Sequence, residues 1–372
     1  VKTRLPLALA AALFSFFGGA QTPVPHAYEA TLWVAHKDFL SDEGRAKTLL
    51  KSILKMPEPQ VDVVAPGLES LSPLEDSFRR RLVSLKKKQR PVYIFYVSAH
   101  GQNGTVIGAQ DKEPTLHRFY SCHEIGRRLA KTVEESSAYN VGLWILLDQC
   151  YAKTCAWEVA RAFREAKAAQ AKWTRFPRIV SASDYYETAR APGMMREFFN
   201  AAQGQNDDGV WTEKELGGKL AASTSSDKLF LYPDAFALAA LEDPAAVRKG
   251  ALEKVSGWSK KELSVAEIEL VLEGIGELAA LGPNTEAAAA LRTVHDKAQS
   301  LGRPVFKDAA LIALSFLDDA KSPWILEKVM TNAYAAMGVV ARHPDLEKTL
   351  HPRLDETQRK LADFLEASYV RD

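Results

Sequence analysis

The chain has 372 residues, with 48 Lys and Arg against 47 Asp and Glu, for a formal net charge of +1. So even a balance offers no broad basic surface, which argues against nucleic acid or an anionic membrane as the main partner. Three cysteines, Cys122, Cys150 and Cys155, are too few and of the wrong parity for a small disulfide scaffold, and the length allows two domains with sizeable cores.

Residues 1–20 have the order of a secretory signal: Lys2 and Arg4, an apolar run from Leu5 to Phe17, then Gly18, Gly19 and Ala20. The run is 13 residues long, short of the about 20 that a bilayer-spanning helix needs. Removal after Ala20 and export to the periplasm or beyond are therefore expected. No Cys follows the run, so no lipid anchor is expected, nor any integral membrane segment in the mature chain.

From about residue 28 to 233, short apolar runs alternate with amphipathic stretches. The candidate strands are Ala30–Ala35, Val61–Val64, Val92–Ser98, Val141–Leu147, Arg178–Ser183 and Lys228–Tyr232. The third and fourth (VYIFYVS and VGLWILL) are almost wholly apolar, as strands covered on both faces of a parallel sheet must be. Helix starts are signalled between them. Ser72 to Glu75, Ser121 to Glu124 and Thr212 to Glu215 each fit a capping box, in which hydroxyl and carboxylate satisfy the first free amides reciprocally. The expected fold is α/β, a mostly parallel six-stranded sheet flanked by helices. Beyond about residue 240 the chain is Ala- and Leu-rich and helix-periodic, so an all-α region over 240–372 is expected. Two stretches, from Leu278 and from Leu314, each read as helix, turn, helix. A plain bundle suits two copies better than a HEAT-like stack, which needs three or more.

The chemistry-bearing residues fall at strand ends. Ser98-Ala99-His100-Gly101-Gln102-Asn103-Gly104 follows the third strand, and Leu147-Asp148-Gln149-Cys150 ends the fourth. Open parallel sheets gather functional groups at the carboxyl ends of their strands. If these two strands are neighbours, His100 and Cys150 meet across one crevice, where an imidazole promotes the thiolate that a cysteine nucleophile requires. Cys122 and Cys155 either pair with each other or are simply buried.

The segment His100-Gly101-x-x-Gly104-x-x-Ile107-Gly108 resembles the His-Gly segment of caspases and metacaspases, and Leu147-Asp148-Gln149-Cys150 resembles their nucleophile motif. The spacing of 50 between His100 and Cys150 agrees with that family. Val180-Ser181-Ala182-Ser183, ahead of Glu187-Thr188-Ala189, is similar to the family's next strand and substrate-flanking loop. The resemblance spans roughly residues 30 to 232. It implies a caspase-like cysteine endopeptidase with a His100–Cys150 dyad and no carboxylate assigned to orient His100. It also implies an oxyanion site from the amides of Gly101 and Cys150, and substrate contacts from Asp148, Ser181 and Ser183. An acid at position 148, two before the nucleophile, implies cleavage after Arg or Lys, with peptides or proteins as substrates and no cofactor. One departure stands out: Tyr151-Ala152-Lys153-Thr154 replaces the family's His-Ser-Gly or Arg-Gly after the Cys. An inactive caspase-like fold that binds a peptide or protein is the alternative.

The segment Asn206 to Glu215 partly fits a calcium loop, but Gly204 would stand at its first ligand position, where a side-chain oxygen is needed, so a turn is expected instead. His26, His36, His117, His123, His295, His343 and His351 show no metal-ligand spacing, and no metal site is expected. The basic run Arg79 to Lys88 reads as a solvated helix face. The connection from Gln170 to Pro177 carries Lys172 and Arg175, either of which a basic-specific enzyme could cut in itself.

Overall fold

The computed structural model describes residues 27–52, 60–102, 104–109, 117–169, 172, 177–182, 230–232, 243–317 and 322–329. The signal-like segment, Ser183, Arg175, the expected cap at Thr212 and the calcium-like loop lie outside these residues.

The first half runs β1 (Ala27–Val34), one helical turn (Lys37–Phe39), α1 (Leu40–Ser52), β2 (Val61–Val64), α2 (Ser72–Leu85) and β3 (Pro91–Ser98). Three short strands follow, β4 (His100–Gln102), β5 (Thr105–Ala109) and β6 (His117–Ser121), then α3 (Cys122–Ser136), β7 (Gly142–Asp148), α4 (Ala152–Ala169), β8 (Arg178–Ser181) and β9 (Phe230–Tyr232). Five strands run parallel in the order β2-β1-β3-β7-β8, and β9 pairs antiparallel along β8. The sheet is thus mostly parallel and lies between helices. Strand periodicity explains why β3 and β7 are apolar throughout. Tyr93, Phe95 and Val97 with Leu143, Ile145 and Leu147 form one face, packed under α2, α3 and α4. Ile94, Tyr96, Trp144 and Leu146 are buried on the other face, the side on which α1 packs against β1.

A second, antiparallel sheet, β4-β5-β6, was not foreseen in the sequence; it folds the glycine-rich segment into a hairpin rather than a loose loop. Of the expected caps, Ser121 takes the Glu124 amide on its hydroxyl at 3.3 Å, while the Glu124 carboxylate turns to Arg127 and Arg128. The Ser72 box does not form. The helix begins at Ser72 itself, with Pro73 in the first turn where its missing N–H costs nothing, and Glu75 is drawn to Arg79 and Arg128. Nor is the basic run on α2 only a solvated face. Arg81 is largely buried and joins Glu29 and Asp62; burial works against both charges, but their mutual hydrogen bonds outweigh it and leave the Arg81 pKa raised and that of Asp62 lowered.

The helical region comprises α5 (Pro244–Ser256), α6 (Val265–Leu281), α7 (Thr285–Ala298), α8 (Pro304–Leu317) and α9 (Pro323–Val329). Here a true capping box starts α6: Ser264 and Glu267 bond each other's backbone. Helices α5 and α6, and α7 and α8, pack as consecutive pairs. Their apolar core takes in Trp157 of α4, whose ring meets Phe316 of α8 edge-on, so this region docks on the helix that follows Cys150. No helix among the described residues is long and apolar enough to cross a membrane.

Candidate functional site

Register builds the site. Strands β3 and β7 are neighbours, with Ser98 opposite Asp148, and the Ala99 amide donates to the Asp148 carbonyl at 3.2 Å. Two residues further along each chain come His100 and Cys150. Past this point β4 carries Gly101 across the end of β7. A Cβ on Gly101 would stand 2.3 Å from the Cys150 carbonyl oxygen, so only glycine allows the two chains to approach this closely. Cys150 is a part-exposed cysteine outside the disulfide, and the His100 side chain is 43% exposed, so both reach solvent.

The turn after Cys150 is unusual. Tyr151 has φ +53, a left-handed conformation that costs a side-chain-bearing residue energy, and it bends the chain sharply into α4. Thr154 holds this turn. Its hydroxyl donates to the Tyr151 carbonyl at 2.7 Å and accepts the Gly104 amide at 2.9 Å. Gly104 itself has φ +70, at the tip of the β4–β5 hairpin. Gln149 donates to the Thr105 carbonyl at 3.2 Å, a second tie from the nucleophile loop to that hairpin. A disulfide between Cys122 and Cys155 fastens the first turn of α3 to that of α4, which settles the pairing left open in the sequence.

On the α1 side of the sheet the site carries acids. Asp148 is buried and accepts from the Tyr96 hydroxyl at 3.0 Å. Asp42, from α1, is also buried and accepts from Ser98 at 2.8 Å, with Arg45 on its other oxygen at 3.2 Å. Burial, then the charge of Asp148, then that of Asp42, push the Tyr96 hydroxyl well above its ordinary pKa, so it stays a neutral donor between two carboxylates. From the sequence, Asp42 stands out only as an acid after the first strand, without an assignable role in the pocket; the structure brings it there.

His100 has a carboxylate beside it after all: Asp38 Oδ2 lies 3.5 Å from His100 Nε2. The same oxygen is 3.4 Å from His36 Nδ1, and the His36 and His100 rings meet edge to face at 4.6 Å. His36 Nδ1 accepts the Asp38 amide at 3.2 Å, capping the turn between β1 and α1, which puts the proton of the neutral ring on Nε2. No sequence spacing announces this cluster; strand pairing brings His36, Asp38 and His100 together, with their ligand atoms within 4.8 Å of one another.

Of the remaining expected residues, Ser181 stands opposite Leu147 in the register and so shares the face covered by α4, not the Asp148 face. It is buried there and is not brought to the crevice, because strand alternation sends it to the other side of the sheet. Ser183 lies outside the described residues. Helix α4 is described as far as Ala169, and Lys172 is exposed.

No model of a known protein family matches the chain, and no curated protein matches its sequence.

Proposed function

We propose that the chain is a hydrolase acting through a cysteine thiolate. More particularly, it is a caspase-like cysteine endopeptidase that cleaves after Arg or Lys and works outside the cytoplasm. The observation that carries the reading is the Ser98–Asp148 register, which delivers His100 and Cys150 to one solvent-facing edge. Cys150 also stands at the amino end of α4, whose dipole favours a thiolate. The disulfide, at home in an oxidising compartment, supports export and leaves Cys150 as the one thiol.

In this mechanism the Cys150 sulfur adds to the scissile carbonyl carbon, and backbone amides at Gly101 and Cys150 hold the oxyanion. As the tetrahedral intermediate collapses, the C–N bond breaks and His100 gives its proton to the leaving amine, forming a thioester. Water then attacks the thioester as His100 takes its proton, and the C–S bond breaks, releasing the acid product and the Cys150 thiolate. Asp148 and Asp42, beneath this edge, form an anionic floor for a basic P1 side chain.

The test is labelling by an arginyl chloromethylketone, in which the thiolate displaces chloride. Stoichiometric labelling that is absent in Cys150→Ala and absent with an aspartyl reagent is expected. A folded wild type that is not labelled and cleaves no basic peptide would leave the chain as a peptide-binding caspase-like module.

A further inference from the structure

Two imidazoles and one carboxylate converge where β1 and β3 leave the sheet. The ligand atoms of His36, Asp38 and His100 all lie within 4.8 Å of one another. Asp38 Oδ2 is the hinge of the group, 3.4 Å from His36 Nδ1 and 3.5 Å from His100 Nε2. A tetrahedral zinc ion with bonds near 2.0–2.1 Å sets its ligand atoms roughly 3.3 Å apart. Two of the three edges thus already sit close to that spacing. The third closes by a small swing of the His100 ring, which is part-exposed, toward the buried His36. The Phe39 ring, edge-on to His100 at 4.8 Å, limits that swing to one side. His36 Nδ1 accepts the Asp38 amide at 3.2 Å, so its lone pair already points toward the Asp38 segment. Two nitrogens and one carboxylate oxygen are a donor set for zinc rather than for calcium or magnesium, which take oxygen ligands.

We infer that His36, Asp38 and His100 form a Zn²⁺ site whose occupation takes His100 out of proton transfer. The role in catalysis rests on the peptidase reading; the site itself does not. With Zn²⁺ on Nε2, the His100 ring keeps a proton on Nδ1 and has no lone pair left to accept another. It can then neither take a proton from water nor deliver one to a leaving amine. A fourth ligand, water or a soft thiolate, would complete the tetrahedral set. Zinc here is a brake on the proposed dyad.

The experiment uses the full chain after chelator treatment, titrated with Zn²⁺ in a calorimeter and with Co²⁺ by visible absorption. The proteins are wild type, His36→Asn, in which asparagine keeps an N-cap acceptor, and Asp38→Asn at an exposed position. Loss of a group that merely supports a ligand costs about 10–100-fold in affinity, and loss of a ligand should cost no less. The expected result is one ion per wild-type chain, a tetrahedral Co²⁺ spectrum, and binding weakened by at least about tenfold in both variants. Zn²⁺ should halt cleavage of an arginyl peptide by the wild type, EDTA should restore it, and the zinc needed should rise in His36→Asn with its Kd. No binding by the wild type, or equal binding by both variants, overturns the site. Binding without inhibition of a cleaving enzyme overturns the brake. Binding by a chain that cleaves nothing sinks the peptidase reading and leaves the site standing. Should His36→Asn lose its fold by circular dichroism, Asp38→Asn decides.

Discussion

The Gly104 amide donates to the Thr154 hydroxyl at 2.9 Å, tying the hairpin that carries His100 to the first turn of the helix that follows Cys150. Thr154 is fully buried, and its hydroxyl also reaches back to Tyr151, whose left-handed backbone forms the corner after the nucleophile. With the Gln149–Thr105 bond, this side chain sets the distance between the two proposed catalytic segments. Thr154→Val keeps the shape but leaves the Gly104 amide buried without an acceptor, at a cost of about 1–3 kcal/mol. Displacing a reacting group by about 1 Å can cost roughly a hundredfold in rate. We expect kcat to fall by up to about that factor with little change in KM, and Thr154→Ser to recover most of the loss. Equal kcat in wild type and valine variant, measured by peptide hydrolysis, would show that the tie does not position the dyad.

The disulfide fastens the same end of α4 to the amino end of α3. Cys122 and Cys155 are 33 residues apart, and closing a loop of that length stabilises a fold by about 3–4 kcal/mol through the unfolded chain. Cys122→Ala combined with Cys155→Ala should lose about that much in urea unfolding. Thiol titration of the native wild type should find Cys150 alone. Three reactive thiols per chain would contradict the pairing.

How much of this was legible follows from where the signals lie. The apolar runs of β3 and β7 marked both strands to within a residue, because burial on two faces leaves no other composition possible. His100, Cys150 and Asp148 were placed by their position at those strand ends. Strands β4 and β5 were missed, since His100 to Gln102 and Thr105 to Ala109 are short and glycine-interrupted, and their pairing is set by the hairpin rather than by any period. The Ser72 box misled because a carboxylate at the right spacing found better partners in Arg79 and Arg128, which local sequence does not weigh. Asp38, Asp42 and His36 stayed out of reach for a topological reason. They join the site only because β1 lies beside β3, with Val34 opposite Ser98.

Acid should loosen the α3–α4 pair in a defined window. Burial pushes the Glu165 carboxyl up, but hydrogen bonds from His123 on α3 and Arg161 on α4 together outweigh it and hold the group at about 2. A folded-state value below the ordinary 4.5 means the contribution is complete above 4.5 and is lost as pH falls from there through about 2. The Glu165 side chain is half-exposed, so screening keeps the contribution below about 1 kcal/mol. Glu165→Gln should lower stability near neutrality by that amount and match the wild type at the acid end of the window. Urea unfolding of both proteins at the two ends measures it. A difference that persists undiminished in acid would show that the ion pair is not its source.

Selectivity for a basic P1 side chain should reside in Asp148. It is the last residue of β7, two before Cys150, buried on the Tyr96 side, where Tyr96 fixes one oxygen and Asp42 adds a second negative charge nearby. A guanidinium or ammonium entering this space gains a charge-assisted hydrogen bond worth about 1.5–3 kcal/mol, roughly ten- to a hundredfold in kcat/KM. An aspartate side chain meets like charge and is rejected. Asp148→Asn should therefore lower cleavage after Arg and Lys by that factor while slow turnover of neutral-P1 peptides changes little, because the dyad is untouched. Asp42→Asn should have a smaller effect of the same sign, since Arg45 already shares its charge. The comparison is kcat/KM across peptides that differ only at P1, with Tm recorded for each variant. An equal loss for every P1 residue would make Asp148 a structural carboxylate serving Tyr96, and a wild type that prefers Asp at P1 would rule out the anionic floor altogether.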